Sequence, residues 1–266
     1  MENLPTDVRR AYQKLADDPK YQHFVRIPDR IVHCIDYFGI ACDRGIVRER
    51  LHAYYLFIGV VDDAIDSGRI NTGKLILEQL STPVPEFDER AGHSSVRLIT
   101  DVLKDHISDK SYPLMIPKLR KLYREVVGER VATSIDSYVG RRKSVGSLTA
   151  ELSYLLIRND LGGESEHLCD FMKQVGAIGC LIDSLIDLNR DRRLGLLAFR
   201  PGMMDHAKLV VAILRNGVRV SIRHPRLYRL FFDAVVDNMR DPFRAERTVQ
   251  QRSFVADRKD EAASVV

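Results

Sequence analysis

The stretch IGCLIDSLIDLNRDRRLG, residues 178–195, combines an apolar helical pattern with three evenly spaced carboxylates. Its apolar residues recur at every third or fourth position, which predicts a buried helix. Asp183, Asp187 and Asp191 are four residues apart, so they share one stripe of that helix. Because burying unpaired like charges is costly, something positive must face this stripe. Either Lys and Arg side chains or hard divalent cations such as Mg²⁺ would meet the need.

A second acidic cluster occurs earlier in the chain, directly after the apolar run YYLFIGVV. Asp62, Asp63 and Asp66 form the segment DDAID, with spacings of three and four that put them on one side of a helix. Two such clusters on two apolar helices could oppose each other across a pocket that holds cations. The alternative is that both are solvated helix ends, with Asp191 paired to a neighbouring arginine such as Arg190.

Glycines lie on the same stripes as the aspartates. Gly59 precedes Asp62 by three residues, and Gly179 precedes Asp183 by four. Glycine inside a helix costs about 1 kcal/mol relative to alanine, so its presence needs a reason. Space for a long apolar ligand beneath the carboxylates is one explanation, and close helix–helix packing is the other. The sequence leaves both open.

The rest of the chain is helical in pattern, with little of the alternation typical of strands. We predict helices near 6–17, 29–41, 45–67, 94–108, 114–127, 130–158, 165–193, 203–220 and 226–240. These long helices predict one all-α domain over residues 1–245. Residues 246–266 lack a core pattern and are predicted to be a disordered tail.

Composition excludes several classes of protein. The net charge of +4 is spread along the 266 residues rather than gathered on one stripe, which argues against nucleic acid as a partner. Four cysteines without a CxxC pair favour reduced thiols in a cytoplasmic protein. The chain has no signal pattern and no apolar run of membrane-spanning length. The amphipathic segment 226–239 allows a peripheral membrane contact, although packing on the bundle is the favoured interpretation.

Three motifs together resemble a known family. DDAID is the aspartate-rich motif of class I isoprenoid synthases, and RERLHAYYLFIGVVDDAID (48–66) resembles the first-motif helix of squalene and phytoene synthases. The segment DSLIDLNRDRRLGLLAFRP (183–201) is similar to their second motif. Between them, SYVGRRKSVGSLTAEL (137–152) lies where that family has a small-Val-Gly element. The order and spacing of the three motifs also fit.

The resemblance implies an isoprenoid-synthase-type helical bundle around a central apolar cavity. It implies a Mg²⁺-dependent enzyme, a monomer or homodimer, that joins two prenyl diphosphates head to head, with farnesyl or geranylgeranyl diphosphate as substrate. The implied metal ligands are Asp62, Asp63, Asp66, Asp183, Asp187 and Asp191, and the catalytic residues are Asp62, Asp66, Asp187 and Arg142. Diphosphate binding is assigned to Arg50, Arg141, Arg142 and Lys143, and the substrate cavity to Tyr55, Gly59, Tyr138, Gly146 and Gly179.

Other activities stay open beside this one. Gly59 and Ile186 stand where squalene and phytoene synthases carry arginine, whereas Tyr138 and Arg142 resemble the diphosphate-sensing segment of terpene cyclases. Cyclisation of a single prenyl diphosphate is therefore an alternative. A catalytically inactive helical partner protein is another.

A different class of enzyme rests on two Glu-x-x-His pairs. Glu49 with His52 and Glu164 with His167 have the spacing that holds a di-iron centre in some four-helix bundles. Such a centre also needs glutamates from two further helices. Glu164 follows two glycines at a predicted helix start, away from an apolar interior, which disfavours this alternative.

Overall fold

The computed structural model describes residues 4–66, 72–85, 95–163, 165–193 and 197–227. These residues form helices throughout, and no strand occurs among them, so the all-α prediction is confirmed. The α-helices are α1 (Thr6–Ala16), α2 (Gln22–Val25), α3 (Ile27–Tyr37), α4 (Arg44–Asp66), α5 (Thr72–Gln79), α6 (Ser95–His106), α7 (Tyr112–Arg130), α8 (Ile135–Ile157), α9 (Glu166–Arg193) and α10 (Met203–Arg223).

Most predicted helices lie within a few residues of the observed ones. Helix α8 begins at Ile135 rather than near 130, because the Ser134 hydroxyl accepts a hydrogen bond from the Ser137 backbone N–H and caps the first turn. The sequence interpretation missed α2 and α5, which are only four and eight residues long. The predicted helix at 226–240 begins within the short turn Pro225–Leu227, and its residues after Leu227, like the predicted tail, lie outside the described residues.

The chain divides into two compact units. The first comprises Met1–Tyr123 and Ser147–Lys173, and the second comprises Arg124–Gly146 and Gln174–Val266. The divisions fall inside α7, α8 and α9 rather than in loops. The single domain expected over residues 1–245 stays a prediction.

Helix α4 organises the first unit. It packs against α3, α5 and α6, and its Leu51, Tyr54 and Leu56 are fully buried, as are Ile99 and Leu103 of α6. The apolar run before the first acidic cluster is thus part of the core. Burial of this run fixes the rotation of α4 about its axis, and therefore the side of the helix on which Asp62 and Asp63 lie. Both residues are in the last two turns of α4.

The second unit has its own apolar core, built from α8, α9, α10 and neighbouring segments. Its buried members are Ala132, Ile135, Tyr138, Leu181, Leu188 and Leu209. Leu181 and Leu188 lie seven residues apart on α9, which is two turns, so they define the buried face of that helix. This anchoring fixes the direction in which the second acidic stripe points.

None of the helices in the described ranges is long and apolar enough to cross a membrane.

Candidate functional site

The first acidic cluster lies at the end of α4, in the first unit. The Asp63 carboxylate accepts hydrogen bonds from Lys20 Nζ at 3.1 Å and from the Tyr21 hydroxyl at 3.3 Å. Both partners belong to the turn Pro19–Tyr21, which packs against α4. Asp62 is exposed, and the side chain of Asp66 lies outside the described part of the structure. A lysine therefore already faces one of the three predicted ligands.

The second acidic cluster, in the second unit, contains a convergent pair of carboxylates. Arg190 Nη1 lies 3.2 Å from Asp187 Oδ1, and Arg190 Nη2 lies 3.4 Å from Asp191 Oδ1. The Asp187 and Asp191 side chains are only 16% and 17% exposed. Two largely buried carboxylates thus converge on one guanidinium.

This pair carries more negative charge than Arg190 balances. The pKa of Asp191 is raised to about 6, chiefly by burial and also by the neighbouring charge of Asp187, while Arg190 and Arg142 oppose the shift. A raised pKa means that the folded protein stabilises the ionised carboxylate of Asp191 less well than water does. Additional positive charge at this position would therefore be stabilised.

Asp183, the first residue of the stripe, contacts a buried arginine. Arg142 Nη2 lies 3.4 Å from Asp183 Oδ2, and Arg142 Nη1 lies 3.2 Å from Glu129 Oε2. The Arg142 Nε–H donates to the Ser184 hydroxyl at 2.7 Å. Arg142 from α8 is therefore held against α9 and against Glu129 of α7.

The other predicted diphosphate-binding residues do not share this environment. Arg141 pairs with Glu125 at 3.2 Å and is 38% exposed, while Lys143 is half-buried. Arg50 pairs with Asp160 at 3.1 Å and donates to the His106 carbonyl. Twelve residues separate Arg50 from Asp62 on α4, a distance of about 18 Å along the helix axis. Arg142 is the predicted anion ligand that lies beside an acidic motif.

The glycines of the predicted cavity have different surroundings. A Cβ atom at Gly59 would overlap the ring of Phe24, and one at Gly146 would overlap the backbone carbonyl of Gly176. Close packing therefore explains both residues, and for Gly59 this is the alternative that the sequence had left open. A Cβ at Gly179 would meet no described atom within 4 Å. Gly179 faces open space, as a cavity requires.

Tyr55 and Tyr138 of the predicted cavity are both buried. The Tyr55 hydroxyl donates to the Ser153 hydroxyl at 3.3 Å, and the Tyr138 ring lies 5.9 Å from that of Phe199. Burial raises the pKa of each tyrosine to about 12. Both therefore stay protonated at neutral pH and offer a hydroxyl and a ring face rather than a phenolate base.

We tested whether the acidic residues fit Mg²⁺. Within the described ranges, no group of three or more His, Cys, Asp and Glu side chains is arranged to hold a metal ion. Asp187 and Asp191 nevertheless supply two carboxylates that already converge on one cation. Mg²⁺ is usually held by one or two carboxylates together with substrate phosphates and water. Two carboxylates are enough to supply the protein's share of such a ligand set, provided that a phosphate group and water complete it.

The contacts of the described residues give little support to a di-iron centre. His52 Nδ1 lies 2.7 Å from the Tyr12 hydroxyl, a hydrogen bond inside the first unit. His167 is exposed at the start of α9, and Glu164 lies outside the described residues.

Several partners of the site residues were missed by sequence reasoning. Glu129 and Lys20 lie 13 and 43 residues from the groups that they contact, and a single sequence carries no signal for such pairings. Arg190 was recognisable as a neighbour of Asp191. Its simultaneous contact with Asp187 follows from the helical spacing of three residues.

Comparison of the chain with protein-family models, with curated proteins and with solved structures finds no match.

Proposed function

We propose that this protein is a Mg²⁺-dependent class I isoprenoid synthase that ionises a prenyl diphosphate. The observation that carries the proposal is that Asp187 and Asp191 both contact the Arg190 guanidinium, which brings two carboxylates together in a largely buried part of α9. The proposed reaction is head-to-head condensation of two prenyl diphosphates, with farnesyl or geranylgeranyl diphosphate as substrate. The bundle with a central apolar cavity is part of the same proposal.

The residues divide the chemical work as follows. Asp187 and Asp191 would hold the metal, which supplies positive charge to the departing diphosphate. Arg142 and Arg190 lie beside the acidic stripe, and guanidinium groups suit bidentate contact with phosphate oxygens. The bond from the allylic carbon to oxygen breaks as negative charge develops on the diphosphate, so fixed positive groups lower the barrier. The open space beside Gly179 supports the proposal that an apolar chain binds next to α9.

Cyclisation of one prenyl diphosphate is the alternative activity. It is favoured by the contact of Arg142 with Asp183, which joins the segment resembling the cyclase diphosphate sensor to the second acidic motif. Condensation and cyclisation differ in the carbon number of the product. The full chain should be incubated with geranyl, farnesyl and geranylgeranyl diphosphates, with and without Mg²⁺, and the organic extract analysed.

A Mg²⁺-dependent product with twice the carbon number of its substrate supports condensation, whereas an unchanged carbon number supports cyclisation. Asp187→Asn is the site variant. Asp170→Asn is its matched control, because Asp170 is on the same helix and is 73% exposed. If neither the natural chain nor the control forms a Mg²⁺-dependent product from any of the three substrates, the enzyme proposal is wrong.

An inactive helical partner protein is the second candidate. The observation that favours it is that Asp63, Asp183, Asp187 and Asp191 each already contact a cationic side chain. In such a protein these contacts would be structural ion pairs. A folded chain that neither binds Mg²⁺ in a calorimetric titration nor releases diphosphate would support this candidate.

A further inference from the structure

Helix α10 carries apolar residues on two opposite faces. One face is buried in the core of the second unit through Leu209 and Val220, with Ala212 and Ile213 packed beside them. The opposite face is apolar and exposed. Its members are Met203, Met204, Ala207, Val211, Leu214, Val218 and Ile222. Ala207 is exposed, and the exposure of the six larger side chains runs from 56% at Val218 to 90% at Met203. We call these seven residues the outer face of α10.

The outer face is continuous along the helix. Its residues recur at spacings of one, three or four from Met203 to Ile222, a length of about 28 Å. Single exposed apolar side chains are normal on a protein surface and need no explanation. A row that extends the full length of a helix is unusual and indicates a surface that meets an apolar partner.

A basic row borders the outer face. Arg215, Arg219 and Arg223 are exposed and lie four residues apart, each directly after an outer-face residue. The acidic residue of α10 is Asp205, whose carboxylate accepts a hydrogen bond from the Gly202 backbone N–H at 2.8 Å. That contact holds it at the N-terminal cap, away from the arginines. The edge of the outer face that these arginines form is therefore positively charged.

We propose that the outer face of α10 docks on an anionic lipid bilayer. Apolar side chains would enter the boundary between headgroups and acyl chains, as in helices that lie in the plane of a membrane. The arginines would meet anionic headgroups while their aliphatic stems cover apolar surface. A second copy of the chain suits this face less well, because pairing α10 with α10 would bring together two helices that each carry three arginines against one carboxylate, Asp205.

This inference concerns a different surface from the acidic site, and it does not depend on the proposed function. It also differs from the peripheral contact that the sequence allowed for residues 226–239, which are a separate segment. Docking through α10 would hold the second unit at the membrane. That unit includes the Asp187 and Asp191 pair.

The test is co-sedimentation of the full chain with vesicles of phosphatidylcholine alone and of equimolar phosphatidylcholine and phosphatidylserine. The natural chain is expected to bind the anionic vesicles more tightly and to lose binding as salt rises. Replacing Arg215 and Arg219 together by Gln should weaken that binding about 25-fold, or about fivefold per arginine, with little change on neutral vesicles. Replacing Arg10 and Arg120, both exposed on other helices, is the charge-matched control and should change binding little.

The apolar contribution has its own variant. Leu214→Gln with Val218→Gln should weaken binding to anionic vesicles by at least about tenfold, because two inserted side chains are lost. Leu75→Gln with Val131→Gln is the control, since these residues are 61% and 65% exposed elsewhere. Circular dichroism confirms that each variant is folded.

Three outcomes would overturn the proposal. Full-chain protein that binds neither vesicle type excludes lipid as the occupant. Resistance of Met203 and Met204 to oxidation by added peroxide without lipid, at every protein concentration, would assign the face to the chain's own residues after Leu227. Protection that appears only as concentration rises, with dimers in sedimentation, would assign the face to a second copy.

Discussion

Arg190 Nη1 lies 3.2 Å from Asp187 Oδ1, so the positive group that faces the centre of the acidic stripe comes from the next turn of the same helix. The same guanidinium contacts Asp191 at 3.4 Å. One cation is thus shared by two carboxylates, and Mg²⁺ must share or replace it. This competition makes the metal hypothesis testable through Arg190 itself.

Removing the positive charge of Arg190 should lower the stability of the metal-free protein and increase the stabilisation that added Mg²⁺ provides. In Arg190→Gln the two carboxylates lose their shared partner, and the free energy of unfolding should fall by about 1–3 kcal/mol. Added Mg²⁺ should then raise the unfolding midpoint temperature more than it does in the natural protein. Thermal unfolding with and without Mg²⁺ measures both effects.

Arg193→Gln is the control, because Arg193 is exposed in the same last turn of α9 and its loss should change stability by less than about 0.5 kcal/mol. A loss of stability in Arg190→Gln with no larger Mg²⁺ response would count against a metal site and for the scaffold alternative.

Two adjacent arginines should differ in their contribution to stability. Arg142 is 19% exposed and contacts Glu129, Asp183 and Ser184, whereas Arg141 is 38% exposed and pairs with Glu125. Arg142→Met should lower the free energy of unfolding by about 3 kcal/mol, because the largely buried Glu129 carboxylate loses its partner. Arg141→Met should cost less than about 1 kcal/mol. Urea denaturation measures both, and equal costs would contradict the structure around Arg142.

Gly146 and Gly179 should respond to alanine in opposite directions. At Gly146 the new methyl group would overlap the Gly176 carbonyl, so unfolding free energy should fall by about 1–3 kcal/mol or more. At Gly179 there is space, and alanine in a helix interior should raise it by up to about 1 kcal/mol. Urea denaturation of the two variants checks this. Destabilisation by Gly179→Ala would show that the space at this residue is filled.

His106 should make the stability of the first unit depend on pH. Burial is the main cause that lowers its pKa from 6.5 to about 4. Between those values the unfolded chain binds more protons than the folded one, so stability falls as pH drops from about 6.5 to about 4. The stabilisation is complete above pH 6.5, and the loss below it reaches about 3 kcal/mol.

Urea denaturation across this pH range tests the prediction. His106→Gln should show a shallower pH dependence, whatever its absolute stability, because the titrating group is gone. His33→Gln replaces an exposed histidine and should keep the natural dependence. If the two variants show the same slope, His106 is not the group responsible.

The sequence predicted the helices well and their contacts poorly, for physical reasons. Helices α4 and α9 are long, with periodic apolar residues, so local pattern was enough to define them. Helix α5 has only eight residues, too few for a clear period. The pairing of Arg142 with Glu129 and the close approach of Gly146 to Gly176 depend on tertiary packing, which spacing along one helix does not encode.

The same limit applied to the acidic stripes. Spacing placed Asp187 and Asp191 on one side of α9, and the contacts with Arg190 agree with that placement. Which cation faces them depends on charge balance and burial. The sequence therefore left arginine and Mg²⁺ as alternatives, and the structure contributes the arginine contacts.

The most direct measurement of the central claim is Mg²⁺-dependent release of diphosphate from farnesyl and geranylgeranyl diphosphates by the purified full chain. We expect release that requires Mg²⁺, that falls about 100-fold or more in Asp187→Asn, and that is unchanged in Asp170→Asn. Absence of release by a folded natural chain at saturating Mg²⁺, or equal release by Asp187→Asn, would contradict the claim that this acidic pair holds the metal of an isoprenoid synthase that ionises a prenyl diphosphate.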